Sequence, residues 1–374
     1  MRFSLTTASG DSFCNREQER NMLMRCMLDS QHVWIQAPRR YGKTSLVRQA
    51  VKELQAKDKK VLFVPLDFML CGDVHSCINK LLTGISATVN ASTANVNSVI
   101  GKLASVFSRA NFAINDGKMN LSLTQKPNLN VDDLETSLMG FDTWLSQQKA
   151  KAVMYLDEFQ NIGIIDKSFT LEATIRACAQ STNNISFVFS GSNRHLMEQA
   201  MGDIERPLYH HCQPIKIDRI SEKSYRQHIQ LAASETWQCS IDNDIINTIF
   251  MLTKRHAYYT SALCQRLFYQ KNKPNLSAVM THWQDLVETD MDTIKAEMQK
   301  MNANMKKALV YIAKSQEPVQ KVNSSAFSQA TNIKAGSLAN TIDKLHWADH
   351  IEMHKDGWRL VNPALEFHIK TSAF

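Results

Sequence analysis

The chain contains no run of eighteen or more apolar residues, so no stretch of it reads as a membrane-spanning helix. Its opening residues, Met1-Arg2-Phe3-Ser4-Leu5-Thr6, lack the apolar core and small-residue cleavage site of an export signal. These two absences give a cytoplasmic expectation with no membrane partner. The eight cysteines are scattered without a C-x-x-C pair, which argues against a zinc knuckle or a disulfide framework and for reduced thiols. No block of five or six like charges occurs, and the net charge of +7 is diffuse. Such a charge permits nucleic-acid contact without supplying a basic stripe. Internal repeats and low-complexity linkers are missing too. What remains is 44% apolar and 21% charged, the balance of an ordinary globular protein. Its 374 residues suffice for two or three domains at roughly 150 residues each.

Three apolar runs set the pattern of the N-terminal half. His32-Val33-Trp34-Ile35-Gln36-Ala37, Val61 to Phe68 and Ala152 to Leu156 are short and flanked by helical stretches, as buried parallel strands are. Ile185 to Gly191 is a further strand of the same kind. Helices are expected after Asn15 and over Ser45 to Leu54. Strands alternating with helices predict an α/β fold, a parallel sheet with helices on both faces. An insertion of about residues 72–140 interrupts it. Within this insertion Asn111 to Thr124 alternates around Asp116-Gly117, a hairpin signal, and residues 74–110 have helical tendency. After residue 217 the pattern is helical, with a helix start near Ser221 and later helices over Ile245 to Leu252 and Ala262 to Tyr269. From residue 303, helices precede two short alternating runs around Asp356-Gly357, the order of a winged helix. The expected division is therefore an α/β core over 1–217, a helical lid over 218–302 and a winged helix over 303–374.

The chemistry concentrates at strand ends. Ala37-Pro38-Arg39-Arg40-Tyr41-Gly42-Lys43-Thr44 meets seven of the eight positions of the phosphate-loop pattern G-x-x-x-x-G-K-[ST], with Ala37 standing where the first glycine belongs. A loop of this kind presents backbone N–H groups and a helix N-terminus to phosphates, with Lys43 for the terminal phosphates and Thr44 for Mg²⁺. Pro38, Arg39, Arg40, Tyr41, Gly42, Lys43, Thr44 and Ser45 are thus the expected nucleotide-binding residues, and ATP with Mg²⁺ the expected cofactors. The strand Ala152 to Leu156 ends in two carboxylates. Asp157 is read as the metal ligand beside Thr44, and Glu158 as the group that orients and deprotonates the attacking water. Ser190-Gly191-Ser192-Asn193 ends the next strand, and Ser192 and Asn193 are candidates to lie beside the γ-phosphate, with Asn193 preferred because its amide both donates and accepts. Arg194 and Arg206 are candidates for supplying positive charge to the leaving phosphate. His210-His211-Cys212 lacks a second ligand pair at metal-binding spacing, so Mg²⁺ is the only metal expected.

Together these residues resemble the archaeal-type ATPases, close to the signal-transducing STAND branch of AAA+-like P-loop proteins. Phe13-Cys14-Asn15-Arg16-Glu17-Gln18-Glu19 is similar to that family's F-x-x-R-E-x-E motif, and Pro38 to Leu46 to its phosphate loop. Leu156-Asp157-Glu158-Phe159-Gln160 resembles its acidic strand, and Gly191 to Met197 its sensor segment. Pro207-Leu208-Tyr209 and Asn362 to Phe367 extend the likeness. At Arg255-His256-Ala257-Tyr258-Tyr259 the family's Gly-x-Pro turn near the adenine is replaced, with Ala257 in place of proline. The resemblance implies an ATPase core, a lid and a C-terminal winged helix.

The function expected from these motifs is an ATP-binding and ATP-hydrolysing switch that couples nucleotide state to a protein partner, a DNA partner or a second copy of the chain. One alternative is a DNA-binding regulator. In it the helix around Ala335 to Leu345 reads the groove, with Lys334, Ser337, Asn340, Thr341 and Lys344 facing outward. A second alternative is a scaffold that nucleotide stabilises without turnover.

Overall fold

The computed structural model describes residues 2–58, 60–92 and 129–372, together with the strands at 113–115 and 118–120. The chain divides into two compact units: Glu17–Ala37 with Leu46–Ile217, and Met1–Arg16 with Pro38–Ser45 and Asp218–Phe374.

The first unit is built on a five-stranded sheet. β1 (Val33–Gln36), β2 (Val61–Asp67), β5 (Lys151–Asp157), β6 (Ile185–Ser190) and β7 (Gln213–Lys216) lie in the order β2-β5-β6-β1-β7. Every pairing among them is parallel, so the C-terminal ends share one edge. β6 lies between β1 and β5. Its interior is wholly apolar except for Ser186 and Ser190, which are both buried, and this is why the strand reads as a continuous hydrophobic run. Helices Val74–Ser92, Val131–Gln148 and Thr170–Ser181 send leucine, isoleucine and aromatic side chains into one core with the strands. The short strands β3 (Ala113–Asn115) and β4 (Lys118–Asn120) pair antiparallel within the insertion. The expected turn at Asp116-Gly117 lies outside the described residues.

The second unit is helical apart from one hairpin. Helices Glu222–Trp237, Asn243–Thr253, Ala257–Phe268 and Leu276–Thr289 share a core with Ala303–Lys314, Ala335–Trp347 and Pro363–Thr371. The stretches expected as lid and winged helix therefore bury their apolar faces together, around the fully buried Trp283. Phe3 of the N-terminal segment joins the same core. β8 (Ile351–His354) and β9 (Gly357–Leu360) form the C-terminal hairpin, with His354 opposite Gly357. The turn therefore falls on Lys355 and Asp356. Gly357 has φ +128 and lies where a Cβ would meet the Val319 backbone at 2.8 Å. Glycine is required there by both conformation and space, because Val319 and Trp358 exchange backbone hydrogen bonds of 2.9 Å. Among the described residues no helix is long and apolar enough to cross a membrane.

Buried histidines give the fold a pH signature. His32, His211, His228, His256 and His350 are all held below the usual imidazole value of 6.5, in each case chiefly by burial. His32 shows the neutral form at work: Nε2 lies 2.9 Å from the Ala179 carbonyl while Nδ1 accepts from the Phe187 N–H. A folded-state pKa below the unfolded one means that the unfolded chain binds more protons as the pH falls through about 6.5, so stability is lost in that direction. We expect the thermal midpoint to fall by several degrees between pH 7.5 and pH 5.5. A flat profile across that window, measured by scanning calorimetry, refutes the assignment.

Candidate functional site

The phosphate loop follows β1, and its helix, Lys43–Lys57, begins at the lysine of the motif. Gly42 has φ +87, the left-handed conformation that a Cβ disfavours, which accounts for glycine at this position. Ala37 is buried and is not among the left-handed residues. The first position therefore takes a Cβ without backbone strain, which explains why the missing glycine is tolerated. Lys43 is 8% exposed, and its Nζ donates to the Pro38 carbonyl at 3.0 Å. The loop is thus closed across its own mouth by the side chain that reaches for phosphate. Ser45 Oγ accepts from the Ala8 N–H at 3.0 Å. Arg39 and Arg40 are exposed, and the Arg40 guanidinium lies 4.5 Å over the Tyr258 ring. Tyr41, by contrast, is buried, and its carbonyl accepts from Arg16 Nη2 at 2.9 Å.

In the sheet unit, the register places Ser190 beside Ile35 of β1 and Phe189 beside Leu156 of β5. One position further along β5, Asp157 Oδ1 accepts from the Ser190 hydroxyl and from the Glu158 N–H. The Tyr155 hydroxyl lies 2.7 Å from the same serine oxygen. With the serine proton committed to the carboxylate, Tyr155 is the donor in that contact, so the buried Tyr155 and Ser190 form a relay that fixes the half-buried Asp157.

Glu158 adopts φ +55, an uncommon conformation for a side chain of this kind and one that recurs where function requires an unusual aim. Its Oε2 accepts three hydrogen bonds: from Gln160 Nε2, from the Ser192 hydroxyl at 2.7 Å and from the Ser192 N–H at 3.1 Å. Gln160 reaches it by packing over Gly191, where an added Cβ would stand 2.0 Å from the amide oxygen. One carboxylate oxygen is thereby held by three donors. Among the described residues all three of these hydrogen bonds fall on Oε2 and none on Oε1.

Two expected site residues have other tasks. Asn193 is exposed, and its side chain caps helix Arg194–Gly202 by accepting from the Leu196 N–H at 3.1 Å. Capping satisfies an orphan helix donor and commits the amide oxygen; it is Ser192, the neighbouring candidate, that bonds Glu158. Arg206 is bound through Nε and Nη2 to Glu172, which is itself buried, and its guanidinium lies 4.0 Å over the Phe169 ring. Burial raises the Glu172 pKa and the arginine opposes that rise. In this structure the Arg206 guanidinium is therefore paired with a buried carboxylate inside the sheet unit. Ser190, Tyr155 and Gln160 were not singled out from the sequence. The available signal for Ser190 was a hydroxyl closing an otherwise apolar strand next to the acidic one.

No family model matches the sequence, and no curated protein matches it. Solved structures do match in fold. The Walker-type ATPase of Pyrococcus abyssi gives a TM-score of 0.70 at 16% identity, covering 99% of this chain and 100% of that one. The ORC2 protein of Aeropyrum pernix, solved as ADPNP-ADP complexes, gives 0.61 at 13% identity over 95% of this chain and 92% of that one. At these identities the likeness is one of fold, and it runs the length of the chain. The chain has the fold of the P-loop ATPases, in the form shared with the archaeal Walker-type and ORC proteins.

Proposed function

We propose that this protein binds ATP with Mg²⁺ through Pro38 to Ser45, hydrolyses it, and works as a nucleotide-driven switch. The observation that carries the reading is the arrangement of Glu158. A strand-end carboxylate is held through one oxygen by three donors, next to an aspartate fixed by its own relay, on the edge of the sheet from which β1 runs into the phosphate loop. A merely solvated strand end needs none of this.

The Thr44 hydroxyl and the Asp157 carboxylate are hard oxygen donors, one of them anionic, and this chemistry fits Mg²⁺. They would hold the ion, which when bound neutralises charge on the β- and γ-phosphates. The first-turn amides of Lys43–Lys57 and the Lys43 ammonium bind the phosphate oxygens. Glu158 Oε1 takes a proton from water while the water oxygen bonds to the γ-phosphorus and the bond to the ADP oxygen breaks. Ser192 and Gln160 keep that carboxylate aimed. The nucleotide of the Aeropyrum protein supports ATP as the ligand by likeness of fold.

A DNA-reading role draws less support. On helix Ala335–Trp347 and at its start, Lys334, Asn340 and Lys344 are exposed, but Asp343 is exposed beside them. Thr341, expected to face outward, is buried, with its hydroxyl bonded to the Ser337 carbonyl at 2.7 Å. Two lysines offset by an aspartate offer little phosphate attraction. The switch therefore acts on a protein partner or a second copy of the chain.

Phosphate release from ATP by the purified protein tests the reading: we expect turnover in Mg²⁺ and a fall to background in excess EDTA. Nucleotide binding with no turnover under any condition would instead favour the stabilised scaffold.

A further inference from the structure

Tyr41 occupies one of the unrestricted positions of the phosphate-loop pattern, where nothing in phosphate chemistry asks for an aromatic ring. Yet it is 1% exposed. Its hydroxyl donates to Glu352 Oε2 at 2.7 Å, although the two residues lie 311 positions apart in the sequence. Glu352 belongs to β8 of the C-terminal hairpin. Its other oxygen accepts from Arg219 Nε at 2.8 Å and from Arg359 Nε at 2.9 Å. Arg219 is buried too; it donates to the Leu360 and Lys254 carbonyls and approaches the Tyr41 hydroxyl at 3.3 Å. The His256 ring meets the Tyr41 ring edge to face at 4.8 Å. On the backbone side, Arg16 ties the Tyr41 carbonyl to the Asp218 carbonyl.

One loop residue is thus fastened at its carbonyl, its ring and its hydroxyl, all within a single compact unit. Burying a carboxylate against two guanidinium groups is an expensive way to gain stability, since apolar packing does as well. What such a cluster does supply is a fixed direction for the group it holds. We propose that Glu352 is a positioning residue for the phosphate loop: acting through the Tyr41 hydroxyl, the C-terminal hairpin holds Gly42 and Lys43 in the shape that receives phosphate. The proposal rests on the reading of Pro38 to Ser45 as the nucleotide site. It adds the route by which the C-terminal region and the nucleotide sense each other, because an effect of the hairpin on nucleotide affinity implies an equal effect of nucleotide on the hairpin.

A double-mutant cycle tests it. The affinity for a fluorescent ATP analogue is measured for wild type, Tyr41→Phe, Glu352→Gln and the double variant, with the thermal midpoint of each. Tyr41→Phe removes only a hydroxyl and keeps the ring. We expect each single variant to bind about tenfold more weakly, as loss of a hydrogen bond to a charged group implies, and the double variant to bind no more weakly than either. Hydrogen exchange at β8 and β9 should slow on adding nucleotide to wild type and not to Tyr41→Phe. A control change at the exposed Met353, on the same strand, should leave affinity unaltered. Singles within twofold of wild type, or a double variant about a hundredfold weaker, overturn the proposal; a change in midpoint alone identifies a structural staple and overturns it as well. If wild type binds no nucleotide, the phosphate-loop reading itself fails and takes the proposal with it.

Discussion

Glu158→Gln should retain nucleotide affinity within about twofold while its turnover falls about a hundredfold to a thousandfold, the range that a positioned general base contributes. The substitution is close to isosteric, and the geometry says what each atom of the new side chain does. Its carbonyl oxygen takes the place of Oε2 and accepts from Gln160 and from both Ser192 donors. Its amide nitrogen then stands where Oε1 stood, and a donor cannot take a proton from water. The scaffold survives and the chemistry does not. Single-turnover phosphate release, run beside equilibrium binding, separates the two. Turnover equal to wild type would remove Glu158 from the mechanism. Ser192→Ala provides a graded comparison, since it deletes the hydroxyl donor but leaves the Ser192 N–H in place.

Much of this geometry was legible in the sequence, and the reasons are physical. β1, β5 and β6 are apolar runs buried on both faces, and such runs announce themselves. The edge strand β7, Gln213–Lys216, gave no such signal because only Ile215 is buried and Pro214 occurs in it, as edge strands allow. The motif Gly42-Lys43-Thr44 and the pair Asp157-Glu158 were readable because their chemistry fixes residue type and spacing. Side-chain chemistry alone favours Asn193 over Ser192, yet it is Ser192 that bonds Glu158. Both are polar and adjacent, and the deciding fact is that a helix begins at Arg194 and claims the Asn193 oxygen as its cap. Thr341 failed for a related reason: a threonine on a helix bonds its hydroxyl to the carbonyl four residues back and so needs no solvent. The Tyr41 to Glu352 contact joins positions that no local pattern relates, so only the folded chain reveals it.

The largest effect on binding should come from Lys43→Ala. Charge-assisted hydrogen bonds are each worth about 1.5–3 kcal/mol, and an ammonium that meets terminal phosphates makes more than one, so affinity for ATP should fall at least about a hundredfold. In this structure Nζ donates to the Pro38 carbonyl across the loop, which raises a second route to the same loss: without the lysine the loop itself would relax. The two routes differ in what they predict for ADP and for adenosine. Loss of a phosphate contact weakens triphosphate binding far more than nucleoside binding, whereas relaxation of the loop weakens every ligand that uses its amides. Titration of Lys43→Ala with ATP, ADP and adenosine, with the thermal midpoint as a check on folding, distinguishes them. We expect the ATP arm to fall furthest, because Tyr41 remains fastened to Arg16 and Glu352 and keeps the loop in shape. Wild-type affinity for ATP in Lys43→Ala would mean that Pro38 to Ser45 is not a phosphate site, whatever its pattern.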